Sequence, residues 1–223
     1  MLIKAFNFLF GSLFNAQKAN INFSLNYLNR KRDYDRNYLD YIRLSTLELV
    51  SNQIEVSNLS GAVAELGVYK GKFARYINQY FPNRKLYLFD TFKGFDEVDI
   101  KTEQSNKFSH GDQDFSNTSV KNVLAIMPHP NQCIIKEGFF PETANGLEEK
   151  FAFVSIDTDL YDPIYNGLQY FDPRLVKGGY IFIHDFNNDA YLGAKQAVIK
   201  FCTENNISFV PLPDSCGSAI ITK

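Results

Sequence analysis

Apolar residues recur along this chain in runs of strand length, each ending in a polar tip and each followed by helical spacing. The clearest run is Phe151-Ala-Phe-Val-Ser-Ile-Asp157-Thr-Asp159-Leu-Tyr161-Asp-Pro163. It delivers two carboxylates to its C-terminal tip, then breaks into a predicted helix with Asp162 as cap and Pro163 at the first helical position. Tyr180-Ile-Phe-Ile-His184-Asp185 repeats the design after a Lys177-Gly178-Gly179 turn. Upstream, Gly61-Ala-Val-Ala-Glu65-Leu-Gly67-Val-Tyr-Lys-Gly71 reads as a buried strand, a glycine turn and the start of a helix ending near Tyr80. Lys85 to Asp90 and Cys133 to Glu137 supply two more strands. Ser208-Phe-Val-Pro-Leu and Ser218-Ala-Ile-Ile-Thr222 form a closing hairpin-like pair.

Helical periodicity fills the intervals. Leu39, Ile42, Leu47, Val50 and Ile54 share a broad face of a helix from about Asp40 to Ile54. Its tyrosines and Arg43 can reach into a site, or the helix can simply cover the sheet edge. A further helix is expected to reach Met127, capped by Ser116 or Thr118. Two others carry Tyr165, Leu168 and Phe171, and Tyr191, Ala194, Val198 and Phe201. Ile100 to Asn117 is polar and reads as a mobile rim loop exposing His110, Asp112 and Asp114, with a solvated loop preferred over a metal cluster. Strands alternating with helices give an α/β fold, doubly wound, with a mostly parallel seven-stranded sheet and an N-terminal helical extension. The extension is assigned residues 1–55 and the sheet domain residues 56–223.

Composition narrows the partners. The chain has 223 residues and no Pro/Gly/Ser linker, so it is expected to bury one core. A formal net charge of -2 gives no electrostatic reason to expect nucleic acid, which leaves a small molecule as the partner. Cys133, Cys202 and Cys216 have neither metal-site spacing nor disulfide density, which fits a reducing compartment and a cytoplasmic protein. Met1 to Phe14 is apolar but too short to span a bilayer, so no stable membrane insertion is expected. With Leu2, Phe6, Leu9, Phe10 and Leu13 on one face, it reads as an amphipathic helix that packs on the domain or on a second copy, making a homo-oligomer.

In open α/β sheets, ligands bind outside the carboxyl ends of the strands, and the residues expected there are chemically coherent. Glu65 stands at the first tip. Gly67 can let backbone approach a ligand, and Gly71 can bring helix close to strand. The dinucleotide fingerprint is absent, since Tyr69 occupies the place of its middle glycine. A strand-tip acid suits a cationic ligand, such as one bearing an ammonium and a sulfonium. Asp90 follows about 20 residues beyond the glycine turn, where a carboxylate accepts from two ribose hydroxyls. Gly138 and Phe139 lie at the next tip, where the ring can meet a purine face or the core. Asp157, Asp159, His184 and Asp185 would converge as an oxygen-and-imidazole set suited to Mg²⁺ or Mn²⁺.

Five segments together resemble the macrocin O-methyltransferase (TylF/MycF-type) family of class I S-adenosylmethionine-dependent methyltransferases. They are Ala64-Glu65-Leu-Gly67-Val-Tyr-Lys-Gly71, Phe89-Asp90-Thr-Phe-Lys-Gly94-Phe, Gly138-Phe-Phe-Pro-Glu-Thr143, Asp157-Thr-Asp159-Leu-Tyr161 and Gly178-Gly-Tyr-Ile-Phe-Ile-His184-Asp185. The resemblance runs from about Tyr38 to the C-terminus. It implies O-methylation of a hydroxyl on a sugar or glycosylated small molecule, with S-adenosylmethionine held by Glu65, Gly67 and Asp90; the strand-tip pattern adds Gly71, Gly138 and Phe139 as cofactor contacts. It also implies a divalent metal on Asp157, His184 and Asp185, with Asp157 or His184 taking the acceptor proton. The family's usual Asp-Asp at the last of these tips is His184-Asp185 here, which either keeps a metal with imidazole as ligand or leaves His184 as a base without metal. Two rival readings are a metal-dependent nucleotide-sugar glycosyltransferase and a non-catalytic cofactor-binding assembly subunit.

Overall fold

The computed structural model describes residues 40–223. The amphipathic helix expected within residues 1–14 and most of the polar connector after it lie outside the described residues. Helix α1 (Tyr41–Val56) starts where the sequence places it, because the Asp40 side chain accepts from the Arg43 amide at 3.1 Å and caps the first turn. Its buried residues Leu44, Leu47, Val50 and Ile54 recur at helical spacing and face the sheet. Contacts group Leu39–Lys223 into one compact unit, so α1 packs with the sheet domain.

The remaining elements are β1 (Ala62–Leu66), α2 (Lys72–Tyr80), β2 (Leu86–Asp90), α3 (Glu97–Asn106), α4 (Val120–Ala125), β3 (Cys133–Glu137), β4 (Phe151–Ile156), α5 (Tyr161–Phe171), β5 (Leu175–Ile183), α6 (Leu192–Asn205), β6 (Val210–Pro211) and β7 (Ala219–Thr222). They build the expected seven-stranded sheet in the order β3-β2-β1-β4-β5-β7-β6. Strands β1 to β5 pair in parallel, while β7 runs antiparallel to both β5 and β6. Strand order reverses between β1 and β4, and this switch point is where a doubly wound sheet opens a ligand crevice.

The core has two layers. On one face Phe89, Phe140, Phe151 and Phe171 form an aromatic cluster, with Phe140 and Phe171 stacked at 5.8 Å. Phe153 meets Phe81 at 5.7 Å and Phe182 at 5.0 Å, away from that cluster. Phe151 and Phe153 would share a face in a regular strand, but the β4 register shifts between them. Across the shift β4 advances from Phe151 to Phe153 while β5 advances from Leu175 to Tyr180. Lys177-Gly178-Gly179, expected as a turn before the strand, is therefore an irregularity inside β5. Small residues accommodate it: a Cβ on Gly61 or Gly179 would lie 2.9 Å or 3.0 Å from the Ala152 backbone.

Three local expectations are corrected. Residues 100–117 are not all loop, since α3 continues to Asn106, where Glu103 and Asp99 are buried. The cap of α4 is Ser119, one residue past the expected Thr118. Helix α5 begins at Tyr161, ahead of the expected cap Asp162, because the Glu103 carboxylate accepts from the Tyr161 amide at 2.7 Å and from Ser109 Oγ at 2.6 Å. A remote side chain thus does what a local cap was expected to do. Among the described residues, no helix is long and apolar enough to cross a membrane.

The α3–α5 contact carries a pH dependence. Burial first, then the charges of Asp162, Asp96 and Glu103, push the Asp99 pKa up to about 7. A carboxyl raised on folding contributes most to stability below its unfolded value near 4, and loses that contribution as pH rises toward 7. Asp99→Asn should therefore melt close to the parent near pH 4 and be more stable by about 2 kcal/mol at pH 8, as read by urea unfolding at the two pH values.

Candidate active site

The tips of the five parallel strands are tied into one row. Amide donors continue the ladder one residue past each strand: Gly138 to the Asp90 carbonyl at 2.9 Å, Gly67 to Phe89 at 2.9 Å, Asp157 to Leu66 at 2.8 Å and His184 to Ile156 at 2.9 Å. The tightest point is between Gly67 and Asp157. A Cβ on Gly67, whose φ is +84°, would lie 2.0 Å from the Asp157 carbonyl oxygen. Glycine at this position, expected to let backbone approach a ligand, also lets β1 and β4 approach each other.

On one side of the switch point lies a cradle for a nucleoside-like ligand. Glu65 is 1% exposed, and among the described residues its Oε2 has no hydrogen-bond partner. Burial first, then Asp157 against the opposing charge of Arg43, and then Asp90, raise its pKa well above the usual carboxylate value. An orphaned, buried acceptor at a strand tip fits a ligand ammonium, which would satisfy the oxygen and restore its charge. Asp90 is already in use: Oδ2 accepts from the Val68 and Tyr69 amides at 2.7 Å and 2.8 Å, and Oδ1 from Phe92 at 2.6 Å. A carboxylate has about four acceptor sites, so about one remains for a ribose hydroxyl rather than the two expected. These bonds hold the turn after β1, in which Tyr69 has φ +50°. The Tyr69 hydroxyl donates to Asn117 at 2.6 Å, and the Thr118 hydroxyl donates to the Tyr69 carbonyl. Residues 115–118 are thus pinned over the turn, where the sequence suggested a mobile rim. Gly71 caps α2 against Val123 and Met127 of the α4 region. Gly138 lies at the β3 tip, Phe139 is half-buried beside it, and Phe140 takes the core position.

On the other side, acids crowd together. Oxygens of Asp157, Asp159 and Asp185 lie within 4.8 Å of one another. Asp159 and Asp185 both have φ +60°, a conformation that aspartate tolerates better than most residues but that still concentrates strain where two strands end. Burial and the charges of Asp185 and Asp157 raise the Asp159 pKa well above its ordinary value. Burial would raise Asp157 as well, but the charges of His184 and Arg43, with hydrogen bonds from both, hold it far below the usual carboxylate range. His184 Nδ1 lies 2.7 Å from Asp185 Oδ2 and 3.0 Å from Asp157 Oδ1, and Nε2 is 3.9 Å from Asp40 Oδ2. Burial disfavours the charged imidazole, yet Asp157, overcoming the repulsion of Arg43, raises the His184 pKa far above its ordinary value. The surrounding carboxylates thus favour the charged imidazole. Beside the expected ligands Asp157 and Asp185, Asp159 completes a set of three hard oxygen donors with mutual repulsion to relieve, while the expected ligand His184 groups with Asp185 and Cys216 and with Asp40 and Asp214.

The structure brings Asp157, Asp159, His184 and Asp185 together, as their strand-tip positions imply. It adds four partners. Arg43 of α1 donates to Asp157 Oδ2 at 2.9 Å and to Ser155 Oγ at 3.1 Å. Asp40 faces His184, and Asn188 donates to Asp185 Oδ1 at 2.7 Å. Sequence reading named Arg43 only as able to reach a site. The signal for Ser155 was visible as one hydroxyl inside an otherwise apolar run. Asp40 and Arg43 are one helical turn apart, which lets one helix start present both charges.

Comparisons with known proteins bear on the family and the fold. The macrocin-O-methyltransferase (TylF) family profile matches residues 24–213. A curated relative from Streptomyces olivaceus, 8-demethyl-8-(2,3-dimethoxy-alpha-L-rhamnosyl)-tetracenomycin-C 4'-O-methyltransferase, is 23% identical over 160 residues, covering 66% of this chain and 61% of that protein. The match thus spans under two thirds of the relative's length. The O-methyltransferase NovP has the same fold, with a TM-score of 0.67 at 20% identity over 86% of this chain and 85% of its own. So does the calicheamicin methyltransferase CalS11, with a TM-score of 0.65 at 20% identity over 81% and 78%.

Because Asp90 gathers three backbone amides, Asp90→Ala should cost about 2–3 kcal/mol of stability in urea unfolding even without ligand. Asp90→Asn, which keeps an acceptor oxygen, should lose less.

Proposed function

The chain belongs to the macrocin-O-methyltransferase (TylF) family, and from that premise we propose that it is an S-adenosylmethionine-dependent O-methyltransferase acting on a hydroxyl of a sugar or glycosylated small molecule. The observation that carries this reading is the pairing, across one switch point, of an orphaned buried Glu65 oxygen with the Asp157, Asp159 and Asp185 cluster. The first suits the ammonium end of the cofactor, and the second suits the oxygen chemistry beside it. The tetracenomycin relative methylates a sugar hydroxyl by its name, and a CalS11 structure is described as a TDP-rhamnose 3'-O-methyltransferase, which supports a sugar acceptor.

The cofactor supplies an electrophilic methyl group, and Mg²⁺ or Mn²⁺ held by Asp157, Asp159 and Asp185 would supply positive charge that eases ionisation of the acceptor hydroxyl. This chain's residues do the rest. Glu65 receives the ammonium, and Asp90 fixes the turn that borders the nucleoside while offering its remaining acceptor site. Asp157, kept ionised between Arg43 and His184, is the carboxylate available to take the acceptor proton. Asp185 is bonded by His184 and Asn188, and Asp159 sits against other carboxyls that push it toward the neutral form. Holding acceptor and methyl donor in line across the crevice can contribute about 7–11 kcal/mol of the barrier.

The test uses the full-length protein with S-adenosylhomocysteine in calorimetry, and methyl-labelled S-adenosylmethionine with a panel of deoxysugar glycosides and nucleotide sugars. The protein should bind S-adenosylhomocysteine. Asp157→Ala and Asp159→Asn should keep that affinity within about threefold and lose transfer by about 10²-fold or more. Binding of a nucleotide sugar with none of S-adenosylhomocysteine would contradict the proposal in favour of a glycosyltransferase.

A further inference from the structure

Arg43 enters the acidic edge from outside the sheet, and its charge is permanent. The side chain is 2% exposed, with NH1 at 2.9 Å from Asp157 Oδ2, NH2 at 3.1 Å from Ser155 Oγ and the guanidinium carbon 3.8 Å from the Phe73 ring centroid. Its own amide is held by the Asp40 cap. The Asp40 cap, the ring and the serine hold the guanidinium against Oδ2 of a carboxylate that belongs to the divalent-cation cluster.

A buried ion pair is a weak source of net stability, and an apolar pair of similar volume packs as well. What the guanidinium adds that packing does not is a fixed positive charge on one of three cation ligands. We propose that Arg43 is an internal counter-ion that sets how tightly Asp157, Asp159 and Asp185 hold a divalent cation, keeping that cation exchangeable. The inference rests on the cation-assisted reading above and adds to it the residue that tunes the affinity. With Arg43 in place the cluster is partly neutralised before any metal arrives. A cation bound there shares the Asp157 carboxylate with a positive charge at hydrogen-bond distance, and even well-screened repulsion at that range weakens binding by about tenfold or more.

The experiment measures Mn²⁺ binding to the full-length protein at neutral pH in the presence of S-adenosylhomocysteine, from the electron paramagnetic resonance of free Mn²⁺. Arg43→Met should bind Mn²⁺ about tenfold more tightly than the parent, and Arg43→Lys, which keeps the charge, should stay within about threefold of it. Arg43→Gln retains a hydrogen bond to Asp157 without the charge. It should also bind about tenfold more tightly, and it decides the matter if the methionine variant does not fold. Neutral variants that bind Mn²⁺ as the parent does, or more weakly, overturn the role of Arg43 while leaving the methyltransferase reading intact. If the parent binds S-adenosylhomocysteine but neither it nor any variant binds Mn²⁺, the cation-assisted reading falls and this inference with it.

Discussion

Like charge crowded at one sheet edge is the constraint to which the rest of the site responds. Glu65, Asp157, Asp159 and Asp185 all project from strand ends that the backbone ladder holds in a single row. Burial makes their repulsion expensive, and each acid answers it differently. Asp157 stays ionised because Arg43 and His184 flank it, whereas Glu65 and Asp159 are pushed toward the neutral form. The start of α1 supplies both signs at once, Asp40 toward His184 and Arg43 toward Asp157. Helix α1 is therefore part of the site, although the sheet could be drawn without it.

The same edge explains why the crevice has two chemistries. Next to β2 an acid is left with an orphaned oxygen, a state that calls for a cationic ligand. Next to β5 the acids are set out as hard oxygen donors, with strained backbone at Asp159 and Asp185 aiming two of them inward. Between the two, Gly67 permits the close approach of β1 and β4 that puts a methyl donor and an acceptor oxygen on either side of one switch point.

Much of this was legible in the sequence because strand tips are local features. An apolar run that ends in Asp157 or in His184-Asp185 marks both the strand and the residues it delivers, and the parallel order then brings the tips together. What escaped depended on contacts between distant segments. Glu103 caps α5 from α3, so Asp162 looked like the cap when it was not. The register shift that separates Phe151 from Phe153 leaves no trace in a run that simply reads apolar. Asp90 sat where a ribose partner belongs, but that its oxygens were already taken by Val68, Tyr69 and Phe92 required the folded turn. Arg43 was visible as a cation near the site, and its partner was not.

The most direct measurement is anomalous diffraction from crystals of the full-length protein grown with Mn²⁺ and S-adenosylhomocysteine. The account predicts a manganese peak among the carboxylates of Asp157, Asp159 and Asp185, with the amino group of the cofactor product against Glu65. Cofactor product seated away from the β1 and β2 tips, or manganese bound at a distance from all three aspartates, would contradict it.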